Sequence, residues 1–269
     1  MIKVVTIAGS DASGGAGLEA DLKTFEEYSV YGMAAVTVIA TMDPDNCWHH
    51  EVFPIEEKAL RAQLQTIFKG VGVSAAKTGM LGTPYAVNLA AEYIKEYKID
   101  RYVLDPVMVC KGNDEALNPE LNNLVAEKLL PLSLVVTPNL FEAGQLAEMK
   151  TPATIEEMKT AAKRIHERGG RNIFVKGGSK LEGQTSAVDI FYNGKEFLQV
   201  ESALIDTTWI HGSGCTTAAA ITAGLAFDLE PYEAVSRAKK FITLSLRNSF
   251  ELNQWVGPGN PAAWRKGFN

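Results

Sequence analysis

Residues 3–17 read KVVTIAGSDASGGAG: a short β-rich run, then four glycines, an aspartate and two serines before the chain turns polar and apolar by turns. Val4–Ala8 is continuous and apolar, the pattern of a strand covered on both faces. The glycines and Asp11 then join it to a helix. The same grammar repeats along the chain. Ala34–Ile39, Ala75–Lys77, Tyr102–Leu104, Leu134–Thr137 and Ile173–Lys176 read as strands, with amphipathic stretches at Glu56–Lys69, Pro84–Tyr97, Glu120–Leu130 and Ile155–Arg168. Strands alternating with helices predict an α/β fold, a mostly parallel sheet with helices on both faces. The exception is Ala187–Tyr192, Asn193-Gly194, Lys195–Val200, where an Asn-Gly turn predicts a hairpin. Two long helical patterns follow, Thr216–Phe227 and Tyr232–Ser249. No low-complexity linker or internal repeat interrupts the order, so residues 1–269 are expected to form a single domain.

The net charge of -6 argues against nucleic acid as a partner. The three cysteines, Cys47, Cys110 and Cys215, are widely spaced and form no CxxC pair, which disfavours a disulfide framework or zinc ribbon. The first strand runs directly into Gly9, without a signal-peptide core, and Ala218–Phe227 is too short for a membrane span of about 20 residues. These features predict a soluble, cytoplasmic protein that binds no membrane.

In such sheets ligands bind at the carboxyl ends of the strands, so the strand-to-helix junctions carry the chemistry. Neither the P-loop pattern nor GxGxxG occurs at the first junction. Two readings fit residues 9–17: a tight turn, or a loop that presents Asp11 to a polar substrate group. At His211-Gly212-Ser213-Gly214-Cys215-Thr216 the glycines allow a ligand close to the backbone. The following helix start offers an anion site suited to a phosphoryl group, though Ser213 also fits a simple cap. Cys215, at that helix start, is expected to have its thiolate favoured. Asn139 and Glu142 in Thr137–Glu142 fit a capping box and equally a pair facing metal and phosphates. Lys176-Gly177-Gly178-Ser179-Lys180 fits a glycine turn or a wrap of amides around a triphosphate. Gly112 and Asn113 suggest a mobile lid that places Cys110 at a substrate mouth.

In order, GSDASGGAG at 9–17, KTGM at 77–80, DPVMVCKG at 105–112, TPNLFEA at 137–143, KGG at 176–178 and HGSGCT at 211–216 resemble the hydroxymethylpyrimidine kinase branch of the ribokinase superfamily, closest to its dual-cysteine bacterial pyridoxal kinases. The match spans nearly the whole chain. The resemblance implies a ribokinase-like fold, ATP and Mg²⁺ dependence, and a homodimer. It assigns Asn139, Lys176, Gly177, Gly178, Ser179, Lys180, Val188 and the backbone at Gly214 to ATP, and Glu142 with Asp105 to Mg²⁺. Gly212 to Cys215 would form the anion hole, and Asp11, Met80, Val107, Cys110 and Cys215 would line the substrate pocket.

The sequence departs from that pattern at two places. Many ribokinase relatives have Asp where Cys215 stands, so the usual carboxylate base is missing. Pyrimidine kinases tend to have a Gln-Asn pair where this chain reads Met42-Asp43, which shifts weight to a pyridine substrate. Within Trp48-His49-His50, His50 is a candidate substrate contact; adjacent surface histidines are the plainer alternative. Two cysteines suit an aldehyde, because a thiol adds reversibly to a carbonyl. Cys110 is the expected adduct former on pyridoxal, and Cys215 the expected base. The alternatives are a hydroxymethylpyrimidine or phosphomethylpyrimidine kinase, and a non-catalytic pyridoxal phosphate binder.

Overall fold

The computed structural model describes residues 1–108, 119–179, 181 and 185–266. The strands are β1 (Lys3–Asp11), β2 (Tyr31–Asp43), β3 (His49–Pro54), β4 (Ala75–Thr78), β5 (Tyr102–Leu104), β6 (Val135–Val136), β7 (Asn172–Lys176), β8 (Ser186–Tyr192) and β9 (Phe197–Ala203). The helices are α1 (Gly17–Glu27), α2 (Glu57–Leu64), α3 (Pro84–Glu96), α4 (Pro119–Lys128), α5 (Leu140–Leu146), α6 (Ile155–Glu167), α7 (Ser213–Ala226), α8 (Pro231–Arg247) and α9 (Ala263–Lys266). All described strands join one sheet in the order β3-β2-β1-β4-β5-β6-β7-β8-β9. From β2 across to β7 the pairs are parallel; β3, β8 and β9 are antiparallel.

Successive side chains of a strand point to opposite faces, and β1 shows why two helical layers are needed. Val5 and Ile7 enter a core with Leu60, Leu89, Ala161 and Ile165. Val4 enters the other, with Phe25, Ala219, Ile221 and Phe241. The α7 helix is buried nearly all round, and its alanines and Gly224 let α8 approach closely.

Three features differ from expectation. Tyr31–Asp43 is longer than the apolar run, because beyond Ala40 it pairs with β3 rather than β1. β3 carries no period-2 apolar signal because most of it is exposed. The hairpin turn spans four residues, 193–196, between the Tyr192 and Phe197 partners. Asn193 Oδ1 accepts from the Lys195 and Glu196 amides, and Gly194 takes φ +86°. Among the described residues, no helix is long and apolar enough to cross a membrane.

β1 has β2 on one side and β4 on the other. The sheet order therefore reverses there, and a ligand crevice is expected just beyond the carboxyl ends of these strands.

Candidate active site

A cavity of about 960 Å³ opens at that end of the sheet. It gathers the junctions singled out above. Asp11, Met80, Val107 and His50 line one region, and Asn139, Lys176, Gly177, Gly178 and Ser179 another, with Gly212, Gly214 and Cys215 also in the wall. Asp105 and Glu142 line it too. Met42 faces the cavity, whereas Asp43 is exposed outside it. Cys110, Gly112 and Asn113, and likewise Lys180, lie outside the described residues.

The first glycine-rich loop proves to be a clasp. Asp11 Oδ1 accepts from the Ser13 amide at 2.8 Å, and Oδ2 accepts from the Ala16 amide at 2.9 Å and from His211 Nε2 at 2.6 Å. Burial opposes its charge, but the hydrogen bonds and charge of His211, with the Ser13 bonds, hold Asp11 down at about 2. Asp11 is thus a carboxylate, and His211 Nε2 is the donor. The two loops also interlock sterically: a side chain at Gly212 would overlap the Gly15 carbonyl, and one at Gly15 would strike the His211 ring. Both oxygens of Asp11 are spent on this clasp, although the residue still faces the cavity.

At the start of α7, Gly212 occupies the N-cap in the left-handed region, φ +72°, and no side chain caps the helix. Ser213 is not the cap; it begins the helix, and its amide donates to Ile210 O. First-turn amides without a capping side chain, with the positive helix end behind them, form an anion site.

Cys215 corrects an expectation. Its thiol stays partly open to the cavity, yet burial pushes it up to about 12; Lys77 pulls it down, and the Asp21 and Asp105 carboxylates push it up again. The Gly17 amide also favours thiolate. The dipoles of the helix start favour thiolate, and desolvation outweighs them. The ligand-free cysteine is a neutral thiol.

A row of alternating charge runs into the cavity wall, which Lys77, Asp105 and Lys176 line. Lys77 Nζ lies 2.9 Å from Asp21 Oδ2, which also accepts from the Thr6 hydroxyl at 2.6 Å. Both side chains are fully buried. Burial disfavours the Lys77 charge, but Asp21, with Cys215 and Asp105, holds its pKa above the ordinary value. Burial pushes Asp21 the other way, above the usual carboxylate range, against the pull of Lys77 and the Thr6 bond; the 2.9 Å contact with a charged Lys77 is what makes the two an ion pair. Lys77 Nζ is 3.9 Å from Asp105 Oδ2, and Lys176 Nζ is 3.2 Å from Asp105 Oδ1, which also accepts from Thr137 Oγ1 at 3.1 Å. No motif in the sequence assigns a role to Lys77 or Asp21 individually. The available signals were a lysine inside an apolar strand and an aspartate among the apolar positions of α1.

Asn139 and Glu142 form the capping box: the Glu142 amide donates to Asn139 Oδ1 at 2.9 Å, and the Asn139 amide to Glu142 Oε2 at 2.8 Å. Burial raises Glu142 to about 7, with Lys176 pulling down and Asp105 pushing up. Two buried carboxylates facing one cavity favour a further cation, so this pair fits a Mg²⁺ ion held partly through water.

Val188 also corrects an expectation. Its side chain is buried in the core with Met158 and Leu181, and Ala187 and Asp189 line the cavity instead. Strand parity turns Val188 to the opposite face.

A crevice at a sheet switch point, anion-attracting at one end and lined by Met42, Met80 and Val107 at the other, is the arrangement of the ribokinase-like small-molecule kinases. The chain belongs to the phosphomethylpyrimidine kinase family, whose model matches residues 11–260. It is 54% identical to a putative pyridoxine kinase of Treponema pallidum across the whole of both chains. It is 52% identical to the pyridoxine kinase of Bacillus subtilis, over 98% of this chain and 97% of that one. The solved ADP complex of Bacillus subtilis pyridoxal kinase superposes with a TM-score of 0.96 at 52% identity, over 100% of both chains. The Staphylococcus aureus pyridoxal kinase in complex with AMP-PCP and pyridoxal gives 0.93 at 43% identity, over 99% of this chain and 95% of that one.

Proposed function

We propose that the chain, acting as one kinase domain, transfers the γ-phosphoryl group of ATP to the hydroxymethyl group of pyridoxal and related B6 vitamers. The observation that carries this reading is the uncapped start of α7 facing Lys176 across one cavity. The arrangement puts amide dipoles and a cation on the same transferring phosphoryl. Asn139 and the 176–179 loop would contact ATP. Glu142 and Asp105 would hold Mg²⁺, which supplies neutralisation of phosphate charge when bound. Met80, Val107, Met42 and His50 form the wall for the pyridine ring. The apolar Met42 offers no amide to a pyrimidine edge.

In-line phosphoryl transfer depends mainly on positioning and charge stabilisation. Gly212, Gly214 and Cys215 supply the amides, the Asp11–His211 clasp fixes their loop, and Lys176 is held charged by Asp105 and Glu142. Burial opposes that charge and the two carboxylates override it. Cys215 stands at the helix start as the substrate-side group. As a neutral thiol it is a hydrogen-bonding partner in the resting site, and a base role requires thiolate to form on loading. For Cys110 the proposal rests on sequence alone: an aldehyde adduct that positions pyridoxal. Cys110→Ala should then lower kcat/KM for pyridoxal far more than for pyridoxine, and equal losses would remove the adduct.

We further infer a homodimer, supported by β3, which ends the sheet among the described strands, and by the exposed cross-strand pair Ile39 and Phe53. We place the enzyme in the cytoplasm, where ATP is supplied. The deciding experiment measures ADP formation with pyridoxal, pyridoxine, pyridoxamine and hydroxymethylpyrimidine, each with ATP and Mg²⁺. Pyridoxal is expected to give the highest kcat/KM. Higher turnover of the pyrimidine would reassign the substrate, and binding of pyridoxal without ADP would leave a carrier.

A further inference from the structure

Asp189 is a carboxylate in the wall of the cavity that the reaction does not call for. It lies on β8, directly across from Lys176 on β7. Its Oδ1 accepts from the Gly178 amide at 3.0 Å, and its Oδ2 from Lys239 Nζ at 2.7 Å. Lys239, on α8, donates also to Ala187 O at 3.2 Å. Both side chains are nearly buried, 6% and 9% exposed, and both reach the cavity.

The backbone here leaves little choice of path. A side chain at Gly177 would overlap the Val188 carbonyl, so β7 exits tight against β8. Gly178 then takes φ +57° in open space, required by conformation rather than by room. The amide of that turn is tied to Asp189. A bare carboxylate at this place would repel the phosphates that Lys176 and the α7 start attract, since charges in a poorly hydrated site are weakly screened. Lys239 cancels it.

We propose that Asp189 and Lys239 are positioning residues for the nucleotide: a buried strut from α8 that fixes the 176–179 loop and neutralises the phosphate end of the cavity. This rests on the nucleotide reading given above. Neither residue is needed at the pyridoxal end, so the strut should govern one ligand and spare the other.

The test is titration of the full chain with a non-hydrolysable ATP analogue plus Mg²⁺, and separately with pyridoxal. Lys239→Met is expected to weaken the analogue about tenfold or more and to leave pyridoxal binding within about twofold. Asp189→Asn combined with Lys239→Met is expected to recover most of the loss, because the Asn carbonyl still accepts from Gly178 and no charge is stranded. Lys239→Gln, which can still donate to Asp189, covers the case in which Lys239→Met does not fold, with the same direction of change. Analogue binding unchanged in Lys239→Met or Lys239→Gln would overturn the strut, as would equal losses for both ligands or a double variant no better than the single. A wild-type chain that binds pyridoxal but not the analogue would overturn the nucleotide reading itself, and the strut with it.

Discussion

Asp11→Asn distinguishes a clasp from a substrate contact. The substitution keeps one acceptor, for the Ser13 amide, and turns the other oxygen into an NH₂ facing the Ala16 amide and His211 Nε2. Two hydrogen bonds to a charged group are lost, each worth about 1.5–3 kcal/mol before relaxation. The depressed pKa, which reflects these same bonds, gives a second figure. A drop from 3.8 to about 2 corresponds to about 2 kcal/mol in favour of the folded carboxylate once discounted for solvent screening. The two figures, about 3–6 kcal/mol before relaxation and about 2 kcal/mol, bracket the cost, which at about 2 °C per kcal/mol in a chain of this size lowers Tm by about 4–12 °C. The folded pKa lies below the unfolded one, so this stability is present above about pH 4 and is lost as pH falls toward 2. Melting followed by circular dichroism should show the full gap between wild type and variant at pH 7 and 5, narrowing at pH 3. Turnover should fall through kcat, because the clasp holds the anion hole. An unchanged Tm together with a raised KM for pyridoxal alone would overturn the clasp and return Asp11 to the substrate.

Cys215→Ala is expected to cut kcat by on the order of 10²–10⁴ if the cysteine takes the proton; a loss under tenfold leaves it a wall residue. With its thiol pushed up to about 12, Cys215 should resist iodoacetamide at pH 7.5 while exposed Cys47 is alkylated, read by peptide mass spectrometry. Glu142→Gln retains the cap acceptor and should leave the pH 7 melting point unlowered while raising the Mg²⁺ needed for half-maximal rate. Because burial raises Glu142 to about 7, wild type loses stability as pH rises from 5 to 8, and the variant should gain on it across that window in parallel melts. Lys77→Met strands Asp21 in the core and should cost about 3–5 kcal/mol, a Tm loss of about 6–10 °C. Adding Asp21→Asn should restore part of it, and no restoration would mean that Lys77 acts by packing alone.

Much of the architecture was legible because its causes are local. Apolar runs, glycines at strand ends and the Asn139–Glu142 spacing depend on neighbours a few residues away, so the parallel sheet and most of the cavity wall could be placed. β3 escaped because an exposed edge strand needs no apolar face. The resemblance assigns Val188 to the nucleotide, but nothing local in Ala187–Tyr192 says which face of β8 meets the cavity, and Ala187 and Asp189 form that wall.

What the sequence by itself determined was the set of junction residues and the chemistry they offer: glycines, two lysines, carboxylates and a thiol at successive strand ends. Only the tertiary structure decided their states. Asp11 finds its partner 200 positions away in His211, Lys77 finds Asp21 on another element, and Lys239 reaches back to Asp189. Cys215 starts a helix that favours thiolate, yet its charge is set by burial and by residues 21, 77 and 105. Protonation and hydrogen-bond partners depend on distance and desolvation, and the folded chain alone fixes both.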